Sequence, residues 1–482
     1  MKTKVLGKKM LIGGNWEDRE DIIDVLDPQD QTVISTVPRA TAEDMLFAIE
    51  EAKEGTIIAA NMPVHERIRI LNTAADYVNS HKEKYATMIA REGSKTINEA
   101  TSEVSRCIQT LRISAEEARR INGETIPFDQ MPGHENRIGY YYRFPIGVIG
   151  AITPFNDPLN LVAHKIGPAI ASGNAIVVKP SSLTPISAIL LAEAFVAAGL
   201  PEKVLSIITG SGSEIGEVLV THPAVRMVSF TGGLPTGEKI AHQAGLKKIN
   251  MELGSNSPAI VLRDACLDEA ASACVSGAFS AAGQNCIGVQ RIYIEESVFE
   301  TFQRSFVDKT KQYKVGDKRI PSTDMGPLIS VKEAKRVEEW VMEAVKKGAT
   351  ILTGGTRDGA FYSPTVLVNV PPNCQIAQEE IFGPVVLLYQ IKNLNEGIER
   401  ANNVEYGLQA GIFTNNVEHA FEAARRLEVG GLMINDSSDY RIDGMPFGGV
   451  KGSGIGREGI KFAIQEMTEP KVIQFNLRKN II

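Results

Sequence analysis

The chain has 482 residues, too long for one ordinary core, so two or three lobes are expected. A hydrophobic fraction of 43% and a charged fraction of 23% are those of a water-soluble globular protein. A formal net charge of −7, with no long basic run, argues against a nucleic-acid-binding surface, and no apolar stretch is long enough to span a bilayer. Lys2, Lys4, Lys8 and Lys9 precede no apolar h-region, so the start reads as that of a mature cytoplasmic protein.

Residues 1–120 read as mostly helical after an N-terminal strand region. Residues 124–145 differ. Gly123, Pro127, Pro132 and Gly133 mark an extended excursion that ends in a β segment, Arg137-Ile138-Gly139-Tyr140-Tyr141-Tyr142-Arg143. From about residue 146, β-branched runs alternate with helical patterns. Strands are predicted over 147–152, 175–178, 204–208 and 227–230, with a helix over 186–198. That alternation implies a parallel α/β sheet. The pattern resumes after Glu252 with strands over 259–262, 291–294 and 411–414, which reads as a second α/β lobe. The tail, 471–476, is another short alternating strand. It and the 137–143 segment lack local partners, and are expected to pair with each other and with a neighbouring subunit.

Five cysteines, widely scattered, fit a reducing compartment better than a disulfide framework. Seven histidines form no HExxH pair, and no metal site is expected. Cys286, in Gly283-Gln284-Asn285-Cys286, and Glu252, in Asn250-Met251-Glu252-Leu253-Gly254, are framed by glycines. They suggest a thiol nucleophile and a general base brought together by the fold, although a free cysteine is most often a small core residue.

Three segments bear on nucleotide binding. Gly210-Ser211-Gly212-Ser213-Glu214-Ile215-Gly216 joins a strand to a helix, but its glycine spacing departs from GxGxxG, and a plain turn is at least as good a reading. Phe230-Thr231-Gly232-Gly233-Leu234-Pro235-Thr236-Gly237 would let a pyrophosphate approach a helix N-terminus. Lys179-Pro180-Ser181-Ser182 places an ammonium at a strand end, where it could hold a ribose hydroxyl or simply be solvated. On consecutive βα units the three together favour dinucleotide binding.

These segments, with Thr153-Pro154-Phe155-Asn156, Glu380-Ile381-Phe382-Gly383-Pro384 and Pro446-Phe447-Gly448-Gly449-Val450-Lys451-Gly452-Ser453-Gly454, carry a resemblance. In this order and spacing the chain resembles the aldehyde dehydrogenase superfamily almost end to end, in the branch containing lactaldehyde, phosphonoacetaldehyde and sulfolactaldehyde dehydrogenases. The resemblance implies an α/β fold. A Rossmann-type NAD(P)-binding domain would span 1–123 and 146–253, and a catalytic domain with Cys286 would span 254–435. Oligomerisation strands at 124–145 and 465–482 would build a homodimer or homotetramer. It implies Cys286 as nucleophile, Asn156 as oxyanion donor and Glu252 as the base that hydrolyses the thioester. It assigns the cofactor to Thr153, Pro154, Lys179, Ser182, Gly212, Gly216, Phe230, Thr231, Gly232, Gly233, Leu253, Gly254, Glu380 and Phe382.

Three positions depart from the family pattern. Ser255 stands where a second glycine is common, and Gly233 where a serine is common. Ser182 replaces a glutamate frequent in strictly NAD-preferring relatives, so NADP is expected to be accepted alongside NAD.

The aldehyde tunnel looks polar. Asp157, Asn160 and His164 fall near one face at helical spacing, Asn285 flanks the thiol, and Arg441 occupies a loop position that is often aromatic in relatives. Arg441 and His164 could bind an anion, with Arg112 and Arg120 as weaker candidates. Equally, Arg441 could form an ion pair with Asp157 or Asp443 that fixes the loop. A small polar aldehyde, 2-hydroxy or anionic, is therefore expected, such as 3-sulfolactaldehyde or lactaldehyde. Alternatives are succinic or another semialdehyde, or a CoA-acylating enzyme, against which Glu252 speaks. A non-catalytic crystallin-like relative would have no need of Cys286, Asn156, Glu252 and Glu380 together.

Overall fold

A computed structural model describes residues 7–477; Lys2, Lys4 and residues 478–482 of the tail segment lie outside it. Five parallel strands form the centre of the first sheet, in the order Leu205–Ile207, Ala175–Lys179, Val148–Ile152, Val225–Thr231 and Lys248–Glu252. Their Val- and Ile-rich runs are buried because helices cover both faces of a parallel sheet. From Val148–Ile152 the chain winds first one way and then the other. A crevice therefore opens beyond the carboxyl ends of Val148–Ile152 and Val225–Thr231. Met10–Ile12 and Asn15–Glu17 extend one edge antiparallel, and Gly454–Ile455 pairs with Met251 and Glu252 at the other.

The second sheet runs Thr350–Thr353, Thr365–Val368, Val385–Ile391, Val289–Glu295, Ser257–Val261, Gln409–Phe413, Gly431–Ile434, parallel except at its first pair. Before residue 120 lie the helices Ala42–Asn61, Val64–Ser80, Lys82–Glu92 and Ile97–Ala118. Thr41 and Thr96 begin the first and last of these with reciprocal capping boxes. The two strands that lacked local partners pair with each other antiparallel, from Thr468 opposite Pro145 to Asn476 opposite Arg137, and Glu124–Ile126 adds a third strand. Among the described residues no helix is long and apolar enough to cross a membrane.

A buried lysine ties the two sheet regions together. Lys318, on the segment after helix Phe299–Lys311, pairs with Asp27 at 2.7 Å and donates to the Gly93 carbonyl at 2.7 Å. Lys318→Met leaves Asp27 buried without its partner, so a loss of about 3–5 kcal/mol is expected in urea unfolding. Turnover per folded molecule should not change, because this pair lies outside the catalytic cavity.

Candidate active site

Glu252 ends the strand Lys248–Glu252, and Cys286 lies just before Val289–Glu295 of the second sheet. The approach to Cys286 is a left-handed turn: Ala281, Ala282 and Gly283 have φ of 49°, 56° and 70°. Such conformations cost an alanine on the order of 1 kcal/mol each, and surrounding contacts hold them here. Ala281 N donates to Glu99 Oε1 at 2.7 Å, and the Gln284 amide bridges Ala281 O and Ile329 N at 2.9 Å each. A Cβ on Gly283 would stand 2.2 Å from the Gly383 carbonyl oxygen, so only glycine fits. Asn156 Nδ2 donates to Gln284 O at 2.9 Å, which sets this amide beside the thiol-bearing loop. Cys286, Asn156, Glu252, Asn285, Asp157 and Arg441 all line one cavity of about 240 Å³.

Among the described residues neither carboxyl oxygen of Glu252 has a hydrogen-bond partner, and both are buried. Burial first, then the nearby Glu458 carboxylate, pushes Glu252 well above the usual carboxylate range. Gly448 makes room for it, since a Cβ there would stand 2.8 Å from Glu252 Oε1. Burial likewise pushes the Cys286 thiol up to about 12, with Arg441 the strongest charge acting the other way. Glu458 is held well below the usual range, because Lys165 at 2.5 Å and Arg441 at 3.1 Å outweigh its burial.

Arg441 therefore pairs with neither Asp157 nor Asp443. It turns inward to Glu458 and lies 3.6 Å over the Phe447 ring, with its Nε unpartnered among the described residues. Asp157 is engaged instead by Lys95 and by Arg106 at 3.3 Å. Asn160 and His164 stand behind the wall rather than in it. His164 Nε2 lies 2.8 Å and Asn160 Nδ2 3.2 Å from Asp443 Oδ1, and Thr110 donates to Asn160 Oδ1 at 2.8 Å. The reason is local. The helix begins at Asn160 and is buried all round, so Asp157 precedes it and faces the cavity while Asn160 and His164 do not. Arg112 and Arg120 are outer-surface residues paired with Asp76 and Glu117. Lys95, Arg106 and Glu458 of the cavity wall were missed. For Glu458 a signal existed, four residues beyond the glycine-rich run that ends at Gly454.

Several polar groups face the crevice. Among the described residues Thr153 Oγ1 is buried and unpaired. Lys179 Nζ donates to Pro180 O at 3.0 Å, and burial lowers this ammonium to about 8. Gly212, first residue of the π-helical turn Gly212–Gly216, lies beside Lys179, and Ser182 Oγ donates to Gly210 O at 2.8 Å. Gly232 follows strand Val225–Thr231 against the Phe230 ring, and Gly233 opens helix Leu234–Ala244, onto whose Gly237 Leu253 packs. Glu380 accepts from Ser255 N at 2.9 Å and is raised to about 7 by burial. A Cβ on Gly254 would stand 2.4 Å from Glu380 Oε2. Phe382 meets Phe155 edge-on at 5.7 Å, and Pro154, which precedes Phe155 in the chain, is half-buried. A lone ammonium, glycines at close approaches and an exposed helix start fit the hydroxyls and phosphates of a dinucleotide.

Known proteins share this arrangement. Residues 16–473 match the aldehyde dehydrogenase family. The chain is 49% identical over 458 residues to aspartate-semialdehyde dehydrogenase 1 of Pseudomonas canavaninivorans, covering 95% of this chain and 97% of the relative. It is 46% identical over 475 residues to 3-sulfolactaldehyde dehydrogenase of Priestia megaterium, covering 98% and 99%. The crystal structure of glyceraldehyde-3-phosphate dehydrogenase GapN from Methanocaldococcus jannaschii complexed with NADP has a TM-score of 0.92 and 42% identity, covering 95% of this chain and 100% of that one. The chain belongs to the aldehyde dehydrogenase family and is an NAD(P)-dependent oxidoreductase acting on a small aldehyde.

Proposed function

We propose that the protein oxidises a short aldehyde bearing a hydroxyl or an anionic group to the carboxylate by a hydrolytic route, with 3-sulfolactaldehyde and lactaldehyde as the model substrates. The observation that carries this is the buried Arg441 guanidinium in the cavity of Cys286, with one N–H unpartnered among the described residues. An unpaired buried donor is costly, and a substrate oxygen would satisfy it. The relatives named for 3-sulfolactaldehyde and aspartate semialdehyde support the same class.

The roles follow from the chemistry of each side chain. The Cys286 thiolate adds to the aldehyde carbon, and the oxygen takes the electron pair as a thiohemiacetal oxyanion. The Asn156 amide and the Cys286 N–H hold that oxyanion. A nicotinamide, when bound, would supply the hydride acceptor, and loss of hydride from the thiohemiacetal would leave a thioester on Cys286. Glu252 takes a proton from water, whose oxygen attacks the thioester and releases acid and thiol. Lys179, Ser182, Gly233 and Glu380 would hold the dinucleotide, with Phe382 beside its nicotinamide. Residues 7–123 and 146–253 would form the cofactor domain, and the three-stranded sheet would join subunits into a dimer or tetramer. Ile138, Tyr142, Val472 and Phe475 are exposed on that sheet, in keeping with such a role.

The test is a panel of 3-sulfolactaldehyde, lactaldehyde, phosphonoacetaldehyde and succinic semialdehyde, run with and without CoA. Arg441→Ala should lower the ratio of kcat/KM for 3-sulfolactaldehyde over lactaldehyde by about tenfold or more. An unchanged ratio removes the anion from the reading. Both NADP and NAD are expected to be used, since Ser182 presents a hydroxyl where a carboxylate would repel a 2′-phosphate. Ser182→Glu should cut kcat/KM for NADP by about tenfold or more and spare NAD. Absence of turnover with NADP in the parent would refute dual use.

A further inference from the structure

Positive charge exceeds negative on the side of the cavity that holds Arg441. There the Lys165 ammonium and the Arg441 guanidinium share one carboxylate, Glu458, at 2.5 and 3.1 Å. On the other side Lys95 and Arg106 meet three carboxylates, those of Glu103, Asp157 and Asp443. The first group carries one net positive charge and the second one net negative charge. Arg441 is also fixed in place. Its side chain is 7% exposed and lies on the Phe447 ring, and Cys286 packs against the apolar cluster to which Phe447 belongs. A charge held out of water acts over several ångströms with little screening.

We infer that Arg441 supplies the positive charge that favours the thiolate form of Cys286 in the ligand-free cavity, apart from any contact it makes with substrate. Burial opposes ionisation of this thiol, and so do Glu380, Glu252 and Glu458. Glu252 and Glu380 are themselves pushed upward, so near neutrality their opposition is reduced. Glu458 stays ionised but is shared between two cations. Lys95 and Arg106 cannot substitute for Arg441, because their carboxylate partners outnumber them. Where a cavity must both exclude water and hold a nucleophilic sulfur, one unshared positive charge offsets part of the desolvation penalty.

The experiment needs neither aldehyde nor cofactor. Of the other thiols Cys107, Cys274 and Cys374 are buried and Cys266 is exposed, so a Cys266→Ser background leaves Cys286 as the reactive thiol. Iodoacetamide alkylation of Cys286 is followed by mass spectrometry between about pH 6 and 10, below the raised thiol value of about 12, where the rate rises with the thiolate fraction. Arg441→Met and Arg441→Gln should both lower the rate across the whole profile, slowing alkylation at pH 8 by about tenfold. Arg441→Lys, which keeps the charge, should stay within about threefold of the parent. Profiles of the neutral variants that superimpose on the parent overturn the inference. So does a lysine variant as slow as the methionine one, which would assign the effect to packing on Phe447. An unchanged far-ultraviolet circular-dichroism spectrum and urea midpoint confirm that each variant is folded. An altered substrate ratio with unchanged alkylation would sink this inference alone, and the converse result would sink only the anionic-substrate reading.

Discussion

Glu252→Gln is expected to release about one equivalent of reduced nicotinamide per chain and then nearly stop, with kcat lowered about 10²–10⁴-fold. Glutamine keeps the volume that fits above Gly448 but cannot take a proton. Acylation should therefore proceed, and the thioester on Cys286 should accumulate. Rapid mixing with excess aldehyde shows the burst, and mass spectrometry shows the acylated peptide. A variant with neither burst nor turnover would assign Glu252 to the first half of the reaction as well. The pH dependence carries a sign. Burial raises Glu252 above its ordinary value, so its carboxylate fraction, and with it deacylation, increases as pH rises. Burial also raises Cys286, so acylation increases in the same direction at higher pH. The parent should therefore be slow at mildly acidic pH and fastest under alkaline conditions. In Glu252→Gln the burst rate should keep the alkaline rise of the thiol, while the residual steady state loses the rise that belongs to the carboxyl.

How legible these residues were in the sequence depends on how local their causes are. Cys286 and Glu252 stand in short glycine-framed segments and Asn156 lies between Pro154 and Pro158, because a backbone that must turn sharply or approach closely leaves a mark in its own residues. The strands Val148–Ile152 and Ala175–Lys179 were legible for a similar reason, as apolar runs buried on both faces. Val385–Ile391, in the middle of the second sheet, is an equally apolar run that went unread, and Gly431–Ile434 at the edge gives almost no signal. The charged wall was the least legible part. Lys95 meets Asp157 across 62 positions and Lys165 meets Glu458 across 293, so neither pairing has a local signature. Helical periodicity grouped Asp157 with Asn160 and His164. The helix, however, starts at Asn160 and has no solvent face, so the spacing of three and four residues did not define a tunnel wall.

That wall is organised by Asp443, which stands two residues beyond Arg441 and was read only as a possible ion-pair partner. Its Oδ1 receives Arg106 Nη2 at 2.8 Å, faces His164 Nε2 at 2.8 Å and accepts from Asn160 Nδ2 at 3.2 Å. The loop that carries Arg441 is thereby fastened to the helices Ile97–Ala118 and Asn160–Ala171. Asp443→Ala removes the shared acceptor, so the buried Asn160 Nδ2 loses this bond and His164 Nε2 keeps the more distant Thr110 Oγ1 at 3.5 Å. A loss of about 3–5 kcal/mol is expected in urea unfolding near neutral pH. Burial works against the Asp443 carboxylate, but His164 and Arg106 hold it well below the usual range. A depressed carboxyl contributes its stability above its unfolded value near 3.8 and loses it as pH falls further. The gap between parent and variant should thus be widest at neutral pH and narrow below about pH 4. Burial keeps His164 below its ordinary value, so the imidazole is neutral near pH 7 and the contact there is a hydrogen bond to a carboxylate. Freed from Asp443, the loop should hold Arg441 less well, raising KM for the polar aldehyde more than it lowers kcat. Asp443→Asn, which retains one acceptor oxygen, should fall between the two in both measurements. Unchanged stability together with an unchanged KM in Asp443→Ala would show that the loop is held by the Arg441–Glu458 pair alone.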